Sequence, residues 1–441
     1  MVASSDKTLG IDIKFTIISA LALVLTSYVL LLVFNKILTK GTTCKYEYNE
    51  LSKYSNLNAV ENDNNLGNHY IKTAYNCCSV ADKWVNICAL KYTIKEGCRC
   101  LDFEIFDVNG EPVVGTTLSK NGTEKDSYNH LKLSEVLETI HDMAFNRNNF
   151  QGTVYEDPLL LNFRIKSTSV NIYDKMSDDI YDILNDKLLN TTYSFYNRDN
   201  SLIISKPTDG SSNIFQKPIN DLKGKIIIMS SDCNLTTMNK SKLSELVNVV
   251  GSRTGISGGL TCSIDIELQL TSKNYPLIQL NNSHVVSGTN QINNLNNVTT
   301  DSNYAVIMIP DDNNNNNINY CYQKKQGIQM IGMLFQRSVP KDYSKNKWLY
   351  LNTVDDDKRA DLLEYEELGN IENYNRWFLD NESAFILKGD ENEQHIRKGC
   401  NSSSIYDNGQ GLSYLDEEEE ETSKVKKYKD WFYKFFNNLG F

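Results

Sequence analysis

Asp102 and Glu104 are the residues whose spacing carries the most chemistry in this chain. They stand in the run Leu101-Asp102-Phe103-Glu104-Ile105-Phe106. A strand over 101–106 sends Leu101, Phe103 and Ile105 to one face and both carboxylates to the other. Asn109-Gly110 follows closely as a turn. Two carboxylates on one face of a strand end are how a barrel presents a site for a hard divalent cation such as Ca²⁺, which takes carboxylate oxygens.

Few other residues compete for a chemical role. Of the five histidines, His130 falls in a loop, His141 on a helix, His284 in an asparagine-rich stretch and His395 in a polar tail. His69 is either a displaced base or a surface residue at a domain edge, and a lone histidine there favours the second reading. The segment from Gly251 to Gly259 is rich in glycine but lacks the lysine of a phosphate-binding loop, and reads as a barrel turn or lip. There is no His-Glu-x-x-His pair. The ten cysteines lack paired CxxC spacing, so Cys98 and Cys100 read as small core residues.

The elements that must hold the two acids follow from periodicity. Apolar or alternating runs predict strands over 101–106, 159–165, 225–229, 263–270, 330–336 and 384–388. Helical spacing predicts helices over 131–145, with Leu133, Val136, Leu137, Ile140 and Ala144 on one face and Ser134 as an internal cap, and over 173–189, with Met176, Ile180, Ile183 and Leu184. Alternation of strand and helix favours a parallel α/β barrel. Residues 281–317 end in a run of asparagines and read as a low-complexity surface insertion.

With 441 residues and 40% hydrophobic content the chain can bury a large core. Its net charge of -11 lacks the basic footprint of a nucleic-acid binder. Residues 15–34 are uncharged, apolar and about as long as a bilayer-spanning helix. A cleaved signal peptide is the alternative, with a shorter apolar core as its norm. Flanking lysines and scattered Asn-x-Ser/Thr sequons point to opposite topologies, so sidedness stays open. At the far end, 416–421 is an acidic block, and 424–441 mixes lysines with Trp431, Phe432, Phe435 and Phe436. That tail reads equally as a membrane-interface segment or as a helix docked on its own domain.

The stretch Gly97-Cys98-Arg99-Cys100, the acids at 102 and 104, and Gly110-Glu111-Pro112-Val113-Val114 resemble the X box of phosphoinositide-specific phospholipase C. Weaker similarities follow in the same order. Residues 71–76 resemble the family's first catalytic segment, 158–164 a strand ending in Leu-Glu-Asn-His, and 222–228 the strand with phosphate-binding lysines. Residues 272–276 resemble the Y box, and 329–336 and 384–388 the last two barrel strands. Divergent proteins similar to this one are encoded by large DNA viruses, and the Asn/Ile/Lys/Tyr bias suits such a source.

The resemblance implies a distorted TIM (β/α)8 barrel of the PLC-like phosphodiesterase type, preceded by one transmembrane helix. It also implies two catalytic histidines and a Ca²⁺ site, and here the chain departs from the family. Tyr75 stands at the first histidine position, and a phenol with a pKa near 10 is a poor base at neutral pH. The second histidine is missing around Thr116. Each lost general acid or base costs about 10²–10⁴ in rate. Asn76, Asp102 and Glu104 match metal-ligand positions, but Arg164 replaces the third carboxylate, so an internal salt bridge is expected in place of Ca²⁺. Met229 and Ser231 stand where phosphate-binding lysines are expected. Lys273 stands for an arginine, and Tyr275 is unchanged, as weak substrate-binding positions.

The expected organisation is an N-terminal flank (1–14), a transmembrane helix (15–34), a polar tether (35–67), a barrel (68–400) with an X-like half (68–190) and a Y-like half (220–400), and a C-terminal segment (401–441). The expected function is a membrane-anchored phospholipase C-like pseudoenzyme with a binding or structural role in a viral or host-cell membrane. No cofactor is expected, or Ca²⁺ if the site works. The partners are a lipid bilayer and a phosphoinositide headgroup or other membrane or virion proteins, without nucleic acid. The alternatives are an active phosphoric diester hydrolase in lipid metabolism and a lipid-headgroup or glycan binding module.

Overall fold

The structure, a computed structural model, describes residues 15–33, 57–80, 84–117, 125–190, 193–194, 213–230, 235–252, 254–255, 262–263, 277–281, 305–310, 323–324, 327–335 and 383–388. The chain divides into two units, Met1–Ser52 and Lys53–Phe441. In the first, helix α1 (Phe15–Val33) is 19 residues long, apolar and exposed along its length. At about 1.5 Å per residue it matches the hydrocarbon thickness of a bilayer. Its Thr26 hydroxyl is satisfied within the helix, by the carbonyls of Ala22 and Leu23 at 2.9 Å. Such a helix serves as an anchor or as a signal sequence.

The second unit is a closed barrel of eight parallel strands: β1 (His69–Ala74), β2 (Cys100–Val108), β3 (Leu159–Ile165), β4 (Ile226–Ser230), β5 (Val249–Ser252), β6 (Leu277–Asn281), β7 (Ala305–Ile309) and β8 (Met330–Met333). Neighbours in sequence are neighbours in the ring, and β8 returns to β1 in parallel. Helices α2 (Ile87–Lys95), α3 (Leu133–Ala144), α4 (Val170–Leu184) and α5 (Leu235–Lys240) follow the first four strands in turn. This is the (β/α) repeat of a TIM barrel. The five residues predicted for the inner face of α3 are all buried, as are Met176, Ile180 and Leu184 of α4. The α3 helix starts at Leu133 with Lys132 at its cap and no side-chain capping bond, so Ser134 does not cap it.

Several expectations are corrected. The tract 281–317 is not simply an insertion, because Ala305–Ile309 is a fully buried barrel strand. Its five apolar residues are hidden by the asparagines on either side. The segment 384–388 is not the last barrel strand. It forms β9 (Phe385–Leu387), which pairs antiparallel with the first half of β1. The barrel's last two strands are therefore β7 and β8. Residues 251–252 of the glycine-rich run belong to β5, and Cys262–Ser263 pairs antiparallel with Thr254–Gly255 outside the ring. Residues 264–270 lie outside the described residues.

The folded body also begins earlier than the tether boundary at 67. Leu57, Val60 and Leu66 are buried in the core, and residues 57–66 form a belt at the N-terminal ends of the strands. The belt is stitched on by Val154 N–H to Leu57 O, Leu66 N–H to Lys217 O and Ile219 N–H to Asn64 O, at 2.9–3.1 Å. Val60 N–H donates to Asp157 Oδ1 at 2.9 Å. Burial lifts the Asp157 carboxyl to about 6, against the pull of Arg99.

Candidate active site

The site lies at the C-terminal ends of β1, β2 and β3. The parallel register sets Asp102 beside Asn162 and Glu104 beside Arg164. With a side-chain period of two, all four share the inner face of the barrel. Past the end of β1 the chain passes through Tyr75 and turns at Asn76, whose φ of 43° is left-handed, a conformation that asparagine tolerates better than most residues. Asp102 holds this turn. Its Oδ2 accepts the Asn76 N–H at 3.2 Å, and its backbone carbonyl accepts the Cys77 N–H at 3.0 Å.

Arg164 sits among these groups and binds them all. Its Nη2 donates to Asp102 Oδ2 at 2.8 Å and to Asn76 Oδ1 at 2.6 Å. Its Nε lies 3.0 Å from Asp102 Oδ1, and its Nη1 donates to Glu104 Oε1 at 2.8 Å. Asn162 Nδ2 donates to Asp102 Oδ1 at 2.7 Å. The Thr117 N–H donates to Glu104 Oε2 at 2.8 Å, and Lys166 Nζ lies 3.7 Å from Glu104 Oε1. Asp102 and Glu104 are 0% exposed and Arg164 is 1%. Burial alone would lower the guanidinium's pKa, but Asp102 and Glu104 hold it well above its ordinary value. The Tyr75 ring covers it, 4.8 Å from the guanidinium carbon. Tyr75 in turn rests against Gly332 of β8, where a Cβ would come within 3.2 Å of the Tyr75 Cβ.

The residues present do not fit a calcium ion. Calcium asks for six to eight oxygens at about 2.3–2.6 Å. Here every carboxylate oxygen of Asp102 and Glu104, and the Asn76 amide oxygen, already receives a hydrogen bond. The position among them is filled by a fixed cation. Two carboxylates face two cations, Arg164 and Lys166, so the cluster leaves no negative charge for a metal to neutralise.

The structure thus brings together Asn76, Asp102, Glu104, Arg164 and Tyr75. Thr116 lies one residue off: its N–H goes to Ser127 Oγ at 3.2 Å, and the contact to Glu104 is made by Thr117. Met229 is buried on the inner face of β4, beside Asn162. Ser231, Lys273 and Tyr275 lie outside the described residues, as do His284 and His395. His69 is not a surface residue. It is fully buried at the start of β1, at the opposite end of the barrel from this cluster. Asn162, Lys166 and Thr117 were missed. The first two were within reach, because Asn162, Arg164 and Lys166 are spaced by two along one strand, the same signal that picks out Asp102 and Glu104.

Residues 63–231 match the family model Phosphatidylinositol-specific phospholipase C, X domain. The X-domain match contains every residue of the ion-pair cluster and strands β1 to β4, and it ends where the second half of the barrel begins. Among solved structures, PLC21 of S. officinalis is 14% identical, with 78% of this chain and 39% of that chain covered and a TM-score of 0.46. PLC21 of L. pealei is 15% identical, with 63% and 35% covered and a TM-score of 0.43. The calcium-dependent phosphoinositol-specific phospholipase C of Pseudomonas sp is 11% identical, with 63% and 93% covered and a TM-score of 0.40. The chain thus spans little more than a third of the length of the two PLC21 chains. A search of the curated proteins finds no match.

Proposed function

We propose that this chain is a phospholipase C-like barrel without catalytic activity, held at a membrane by α1 and acting there as a binding or structural protein. The observation that carries the reading is Arg164, whose guanidinium occupies the centre of the acid cluster and engages Asp102, Glu104 and Asn76 at once. The described residues of the cluster include no imidazole, and a tyrosine stands where the resemblance leads one to expect the first. The partner proposed is the lipid bilayer itself, in a viral or host-cell membrane. The calcium dependence of the Pseudomonas enzyme does not carry over, because the oxygens that would bind the ion are engaged by nitrogen.

The full-length chain in detergent or nanodiscs is expected to release no inositol phosphate above the no-protein control from phosphatidylinositol or its phosphorylated forms, with or without Ca²⁺. Hydrolysis that is abolished by Asp102→Asn overturns the reading in favour of an active phosphoric diester hydrolase. The anchor has its own test. The chain is expected to stay with membranes through high salt and alkaline carbonate, since an uncharged, predominantly apolar span of 19 residues is not released by breaking electrostatic contacts. Recovery of the full-length chain in the carbonate supernatant contradicts it.

A further inference from the structure

Arg99 and Asp157 are two opposite charges buried at the N-terminal end of the barrel, away from the ion-pair cluster. Arg99 immediately precedes β2 and is 1% exposed, and Asp157 lies two residues before β3 and is 0% exposed. Each is tethered to a different element. Arg99 Nη1 donates to the carbonyl of Ala144, the last residue of α3, at 3.0 Å, where the negative end of the helix dipole favours a cation. The rings of Phe145 and Phe150 lie against the guanidinium, 5.8 and 5.4 Å from its central carbon. Asp157 Oδ1 is held by the Val60 N–H of the belt.

What these tethers leave over is matched. Arg99 Nε and Nη2, and Asp157 Oδ2, are buried and have no hydrogen-bond partner within the protein. Nε and Nη2 stand on one edge of the guanidinium, so their N–H groups form a fork of parallel donors. Each residue is the charge that most favours the other's ionised form: Asp157 acts against the burial that lowers Arg99 to about 10, and Arg99 against the burial that raises Asp157 to about 6. A buried guanidinium and carboxylate ordinarily meet at about 2.7–2.9 Å. Here no such bond forms, with α3 holding one group and the belt the other.

Buried polar atoms without a protein partner point to a bound molecule. That molecule must accept from the fork and donate to the carboxylate oxygen. An anion accepts from the fork but is repelled by Asp157, and a metal cation suits Asp157 but is repelled by Arg99. Water does both, and three hydrogen bonds are about the usual number for a buried water molecule.

We propose that this barrel contains a built water site, in which one buried water molecule accepts from Arg99 Nε and Nη2, donates to Asp157 Oδ2 and so ties the belt to the C-terminal end of α3. The chain of bonds runs from the Ala144 carbonyl through Arg99, the water and Asp157 to the Val60 N–H. It lies at the end of the barrel opposite the acid cluster, the end that in this architecture serves stability. It also gives a task to Arg99, which takes no part in that cluster.

The deciding experiment is a crystal structure of the full-length chain in detergent at a resolution that shows ordered water. The expected result is a peak within about 2.7–3.2 Å of Arg99 Nε, Arg99 Nη2 and Asp157 Oδ2. A map with ordered water elsewhere in the barrel but none there, a direct Arg99–Asp157 bond, or an ion at that position overturns the proposal. The tie itself is read by hydrogen exchange on the full-length chain, following peptides over 57–66. Arg99→Met and Asp157→Asn are each expected to raise belt opening about tenfold, since each strips the water of a partner and leaves buried groups unpaired. Both act on one tie, so the rise in the double variant is expected to fall at least fivefold short of the product of the single rises. Rises that multiply overturn the proposal. A variant that does not fold leaves the wild-type map decisive.

Discussion

Replacing Arg164 by methionine is expected to destabilise the barrel by about 3–5 kcal/mol, the range for removing one partner of a buried ion pair. Methionine fills much of the same volume, so a cavity contributes little. The cost comes from Asp102 and Glu104, which lie fully buried and lose their main counter-charge. For a domain of this size the loss lowers the melting temperature by roughly 10 °C. Neutralising the acids in the same background, as Asp102→Asn with Glu104→Gln, is expected to recover a large part of the loss. The intact cluster is not itself a strong source of stability, because burying four charges offsets most of their attraction. Thermal unfolding of these two variants beside the wild type decides the matter. An Arg164→Met protein as stable as wild type would mean that the guanidinium does not hold the site together.

The second large effect is a change of ligand. Arg164→Glu replaces the fixed cation with a third carboxylate beside Asp102, Glu104 and Asn76. Without metal this variant is expected to be less stable than Arg164→Met, since three buried acids then repel one another. Calcium is expected to restore it, because an ion bound only by the folded state adds RT ln(1 + [L]/Kd), about 2.7 kcal/mol at a hundred times Kd. The wild type is expected to show no shift over the same calcium range. Turnover is not expected in Arg164→Glu, because the described residues of the cluster still include no imidazole. Calcium stabilisation of the wild type, or none in Arg164→Glu, contradicts the fit described for this cluster.

The parts of this molecule legible in the sequence were those where one local pattern decides the structure. The alternation from Leu101 to Phe106 fixed the face shared by Asp102 and Glu104, and the run 159–165, apolar except for Asn162 and Arg164, is bounded as strand β3 is. Strand direction is not written in such runs. Phe385–Leu387 is as apolar as a barrel strand, and only its antiparallel pairing with β1 removes it from the ring. Composition misled in two places. Asparagines around Ala305–Ile309 lowered the local average below that of a strand, and the polar belt hid three anchors, Leu57, Val60 and Leu66, spaced too irregularly to show a period. Within the site, Asp102, Glu104, Asn76 and Arg164 were readable as a group. The roles of Thr117 and Arg99 were not, since each depends on a partner brought in by the fold.

The ladder between β1 and β2 is two residues long, Thr73 with Cys100 and Ala74 with Leu101. The remaining pairing of β1 goes to β8 and β9, which arrive some 260 to 320 residues later in the chain. During synthesis, therefore, β1 to β4 emerge with one edge open and cannot form a ring until β8, which ends at Met333, has left the ribosome. Contacts of such long sequence separation are slow to form, and an unpaired parallel edge is a surface on which nascent chains stick to one another. If α1 has already engaged the membrane by then, the half-built barrel waits tethered to a bilayer, where diffusion is confined to two dimensions. Expression at low temperature with slowed initiation is for that reason expected to raise the yield of folded protein.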